Sequence, residues 1–165
     1  MVRIILSACL AAICFAAGKM LADRQNQKYR SLENFVSLLS FLKIKMSFSL
    51  QPLGEIFEDA SKKREFKTFT FLNTLCSRLE SLSLPEAYRA ALEASEFDED
   101  TAAALAPLGD KLGVSNLSEQ LDFIGGAEAM LTEKLKKLRD ESLKNRKLYI
   151  GLGSLAGAAL FIILI

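Results

Sequence analysis

Carboxylates, lysines, arginines, three tyrosines and three cysteines are the reactive groups this chain offers, because its 165 residues contain no histidine. Without histidine there is no Ser-His-Asp or Cys-His nucleophile, most zinc sites are excluded, and the commonest general base is missing. No Gly-rich phosphate loop of the Walker type occurs. What is left for catalysis is a pocket that gathers a carboxylate such as Glu128 with a lysine or tyrosine, and no spacing in the chain singles one out. The sequence therefore reads as a non-enzyme with no cofactor and no metal.

The charges are more telling as surfaces. The net charge is only +1, but Glu86, Glu93, Glu96, Asp98, Glu99 and Asp100 form an acidic segment opposed by Arg89 alone. Such a segment can dock a basic patch on a partner or steer its approach. The plainer reading is a solvated face plus a helix cap, since acids favour helix N-termini. The residues expected to bind a partner are Pro52 and Glu55 at one helix opening, with Glu86, Asp98, Glu99 and Asp100 at two others. A basic cluster runs from Lys134 to Lys147 and suits anionic lipid heads at a membrane surface. No wide basic face interleaved with aromatic or base-reading residues is present, so a nucleic-acid partner is not expected.

The elements that position these groups begin and end with apolar runs. Leu148 to Ile165 carries neither charge nor proline, and about 18 such residues suffice to cross a hydrocarbon core of roughly 30 Å. The N-terminal run, Ile4 to Gly18 between Arg3 and Lys19, rises only about 22 Å as a helix and would span with snorkelling flanks or local thinning. A cleaved signal peptide ending near Ala16-Ala17-Gly18 competes with this. Leu6-Ser7-Ala8-Cys9 resembles a lipobox but leaves almost no apolar region ahead of Cys9. Lys and Arg close to spans stay in the cytoplasm, and they follow the first run and precede the second. The expected organisation is an N-terminal transmembrane helix at 2–21, a cytoplasmic domain at 26–147 and a C-terminal transmembrane helix at 148–165. Ala8, Ala12 and Ala16, and Gly153 with Gly157, give both spans small-residue faces that allow close packing, within one chain or as a homo-oligomer. The rival organisation is an exported helical domain with a cleaved signal and a C-terminal anchor, serving the envelope or adhesion.

Between the spans, apolar residues recur at helical spacing, as in Leu32, Phe35, Leu39, Leu42 and Met46, and in Phe69, Leu72, Cys76 and Leu79. No alternation is long enough to argue for a strand. Ser83 with Glu86 forms a capping box, Pro85 is tolerated in the first turn, and Asn116 with Glu119 offers another capping pair. Leu105, Leu108 and Leu112 form a stripe up to Gly113, the expected C-cap. Leu117, Leu121, Ile124, Leu131, Leu135 and Leu138 follow at near-heptad spacing. Gly125-Gly126 inside that stretch marks a kink or a close helix crossing, with the crossing favoured. The three cysteines, Cys9, Cys14 and Cys76, read as small hydrophobes without a disulfide framework. Six helices follow, at about 26–47, 52–60, 65–81, 84–95, 99–112 and 116–147, joined by short loops. The fold class is all-α: a six-helix antiparallel bundle between two transmembrane helices.

The order of these features resembles the stage III sporulation protein AB family. The resemblance rests on FVSLLSFLKIKMSFSLQPLGEIFEDAS, SLSLPEAYRAALE, LAPLGDKLGVSNLSEQLDFI and the ending KLYIGLGSLAGAALFIILI. It implies a fold similar to the cytoplasmic domain of the inner-membrane platform proteins of type II secretion and type IV pilus machines. It also implies a place in the channel complex linking mother cell and forespore, with a secretion-type ATPase as cytoplasmic partner. One departure stands out: Lys43, Ile44 and Lys45 occupy the end of the first long helix, where the family is expected to carry acidic residues.

Overall fold

Residues 20, 27–49 and 51–139 are described by a computed structural model, and among them every regular element is helical. Arg30–Leu135 form one compact unit. The first helix, α1 (27–48), follows the expected stripe: Leu32, Phe35, Leu39, Leu42 and Met46 are buried, and Leu38 joins them. Its end carries Ile44 and Phe48 on the exposed side. Pro52 sits at the N-cap of α2 (Leu53–Ser61), where its fixed φ of −58° already suits the helix start. Ile56, Phe57 and Ala60 are the face α2 buries.

The expected single helix over 65–81 is corrected. A 3₁₀ turn at Arg64–Phe66 is followed by a break, and α3 covers only Thr70–Leu79. The reason is geometric. Phe66, Phe69, Phe71 and Leu72 are all buried, yet in one continuous helix Phe69 and Phe71 would point about 200° apart. Breaking the chain before Thr70 lets both rings reach Phe35, edge-on at 6.3 Å and 4.9 Å between centroids. Phe97 adds a third edge-on contact to Phe35 at 5.3 Å, and Tyr88 meets Phe71 at 5.3 Å. Such edge-to-face pairs add about 0.5–1.5 kcal/mol each beyond the area they bury. Of the stripe expected here, Phe69 and Leu72 are buried, Cys76 and Leu79 are only partly covered, and Leu75 is the further core residue.

Helix α4 (Leu84–Glu93) opens on the expected capping box, and α5 (Glu99–Lys111) and α6 (117–139) complete the set of six. Leu105, Leu108 and Leu112 are buried as the stripe predicts. Gly113 has φ +80° and ends α5 in the left-handed region that favours glycine. The buried Gln120 clasps this turn from α6, accepting from Gly113 N–H at 3.1 Å and donating to the Ser115 carbonyl at 2.6 Å. Asn116 accepts from Glu119 N–H at 2.9 Å, so one half of the expected capping pair is formed. Ile124 and Leu131 are the fully buried members of the α6 stripe, whereas Leu117 is exposed.

Consecutive helices α2 to α5 pack on one another. The seam between α4 and α5 is close at Gly109, where a Cβ would lie 2.2 Å from Tyr88 Cδ1. Only a glycine lets the Tyr88 ring lie flat against α5, where its hydroxyl donates to the Leu105 carbonyl at 3.2 Å. Burial pushes that phenol well above its ordinary pKa. Among the described residues no helix is long and apolar enough to cross a membrane. The spans expected at 2–21 and 148–165, with Ala8, Ala12, Ala16, Gly153 and Gly157, lie outside the described residues, Met20 apart.

Candidate partner-binding surface

Asp98, expected to face a partner, is the N-cap of α5. Its carboxylate accepts from Thr101 N–H at 2.8 Å and from the Thr101 hydroxyl. Lys134 of α6 reaches across to donate to both Asp98 oxygens, at 2.8 and 3.0 Å, and to the Thr101 hydroxyl. Partial burial alone would raise the carboxyl pKa, but the bonds from Lys134 and Thr101 outweigh it and bring it to about 2. This is a fastening between the start of α5 and α6. It also shows that the first lysine of the basic cluster is turned to Asp98.

Glu86 has a similar fate. Its side chain accepts from Ser83 N–H at 3.2 Å and from the Ser83 hydroxyl at 2.6 Å. Those two bonds hold its carboxyl below the usual range. Arg89, the base facing the acidic segment in the sequence, instead bonds Asp110 on α5 at 2.7 Å. Glu99 and Asp100 stay exposed in the first turn of α5 with no ion-pair partner among the described residues. Pro52 and Glu55 are exposed at the opening of α2. Of the six expected residues, two therefore hold the fold together and four present themselves outward.

The carboxylate considered for catalysis, Glu128, accepts from the Ser40 hydroxyl and lies 3.7 Å from Lys43 Nζ. It ties α6 to α1. Lys43 stands where the resemblance leads one to expect acid, and its charge meets Glu128 across the helix pair. Lys45 lies 3.9 Å from Asp59 of α2, and Lys63 stacks over Phe41 at 4.0 Å. The end of α1 is thus a basic and apolar surface, with no carboxylate to offer a partner. Among the described residues no group of three or more cysteine, aspartate or glutamate side chains gathers to hold a metal.

Sequence spacing misses two features. The Asp98–Lys134 fastening joins residues 36 apart, beyond any local pattern. A groove of about 430 Å³ between α5 and α6, bordered by Phe123 and Met130 and including Gly126, has a sequence signal in the glycine pair. Among the described residues that pair does not make the crossing expected of it: a Cβ on Gly126 would meet nothing within 4 Å, and one on Gly125 would meet only Lys43 Nζ, at 3.9 Å.

No curated protein and no solved structure matches the chain. A family model described as stage III sporulation protein AB matches residues 3–165, essentially the whole chain. That range takes in every helix described above and both terminal apolar runs, and on this ground the chain belongs to the stage III sporulation protein AB family.

Proposed function

We propose that this chain is a non-enzymatic membrane platform of the channel complex connecting mother cell and forespore, on which a secretion-type ATPase docks. Membership of the family gives a role in sporulation. The observation that carries the docking is the state of the acidic segment. Asp98 is pinned by Lys134, which fixes the start of α5, and Glu99 and Asp100 project from that fixed point with no ion-pair partner among the described residues. Preorganised, exposed charges favour fast and selective association with a basic partner. In this reading the two terminal apolar runs are spans, the domain is cytoplasmic on the mother-cell side, and the remaining partners are the other membrane components of the channel and lipid.

The test is the double variant Glu99→Lys with Asp100→Lys in the full chain, followed through sporulation. Co-purification with the ATPase of the sporulation complex and the yield of heat-resistant spores are read together. Loss of both, with the protein still present at normal abundance, is the expected result. Unchanged co-purification would remove this surface from the docking site.

A further inference from the structure

In the groove between α5 and α6, small residues and carboxylates without an ion-pair partner among the described residues meet. Buried Leu108 forms its floor, and Ala104, Gly126 and Ala127 leave it free of bulk. Glycine destabilises a helix interior relative to alanine, and no packing among the described residues requires one at position 126. The bare backbone is therefore available to something from outside. Phe123 and Met130 stand beside it at 39 % and 38 % exposure. Glu119 and Asp122 line the same groove, exposed and without an ion-pair partner among the described residues. The basic group nearby, Lys111, lies 5.6 Å above the Phe123 ring.

We propose that this groove seats an amphipathic helix of a partner protein, with its apolar stripe on Phe123, Leu108 and Met130 and a lysine or arginine facing Glu119 and Asp122. Glu119, Asp122, Gly126 and Met130 follow one another three or four apart, so one face of α6 presents carboxylates, bare backbone and apolar surface in sequence. A helix is the occupant such a strip fits, since its own apolar residues recur at the same spacing. The glycine lets its backbone approach closely, and the two carboxylates select a cationic flank. The site is separate from Glu99 and Asp100 and does not depend on the ATPase reading.

The experiment places a photo-crosslinking amino acid at Met130 of the full chain in sporulating cells and identifies the captured segment by mass spectrometry. The expected adduct is to a segment of another protein with apolar residues three or four apart and a lysine or arginine beside them. Gly126→Leu is expected to abolish the adduct while the melting temperature of the purified chain holds or rises, because a Cβ there meets nothing within 4 Å among the described residues and leucine favours a helix interior over glycine. Glu119→Lys with Asp122→Lys is expected to weaken the adduct, and reversing the captured cation to glutamate to restore it. An adduct to another copy of this chain, an adduct to lipid, no adduct, or one that survives both variants overturns the proposal.

Discussion

The α3–α4 side of the domain and its α5–α6 side are built to opposite specifications. On the first, Phe35 is ringed edge-on by Phe69, Phe71 and Phe97, and Tyr88 closes the cluster against Gly109. Phe35, Phe69, Phe71 and Tyr88 are all fully buried. On the second, small residues line a groove, Phe123 and Met130 are partly exposed, and two carboxylates have no counter-charge among the described residues. The difference separates two kinds of construction: aromatic packing fastens one side, whereas the other keeps an unfilled groove.

Substitutions should respect that division. Phe71→Ala removes a ring that touches Phe35, Phe69, Tyr88 and Phe97, and is expected to destabilise the full chain by about 3–5 kcal/mol. Denaturant unfolding measures it, and a loss below 1 kcal/mol would show that the cluster can repack. Gly109→Ala forces the Tyr88 ring off α5 and threatens its bond to Leu105; overpacking of this kind costs about 1–3 kcal/mol. The same unfolding curves, with Tyr88→Phe as a partner variant, separate the clash from the lost hydrogen bond.

Asp98 fastens α5 to α6 within the second side, and its removal should have an intermediate effect. Asp98→Ala loses an N-cap worth about 0.5–2 kcal/mol and leaves Lys134 without its carboxylate. The pH dependence has a fixed sign. The folded-state pKa of about 2 lies below the ordinary 3.8, so the stabilising contribution is complete above 3.8 and disappears as pH falls through about 2. Melting curves of wild type and Asp98→Asn should therefore differ at neutral pH and converge in strong acid. The smallest effect is expected on the open side: Gly126→Ala should stabilise the domain by about 0.5–1 kcal/mol, because its methyl group meets nothing within 4 Å. Destabilisation there would show that the glycine serves the fold after all.

Much of this could be read from sequence where the cause is local. The α1 and α5 stripes, the Ser83–Glu86 box, the Gly113 cap and the N-terminal acids of α5 depend on residues close in sequence, and each is found where local spacing predicts it. The broken third helix was not, because the choice between one helix and two depends on both Phe69 and Phe71 reaching Phe35, some 35 residues earlier. The binding residues were harder still. Asp98 and Glu86 carry charge like Glu99 and Asp100, and only tertiary partners reveal that the first two are engaged. For the glycine pair, spacing leaves a kink or a close crossing open, and no close crossing is made among the described residues.

The platform reading stands or falls with the side of the membrane on which the domain lies. The direct measurement replaces Cys9, Cys14 and Cys76, introduces Ser81→Cys in the exposed turn after α3, and treats sporulating cells with a membrane-impermeant thiol reagent. Labelling only after permeabilisation is the predicted result, as a cytoplasmic domain requires. Labelling of intact cells would place the domain outside the cytoplasm, beyond the reach of any ATPase, and contradict the account.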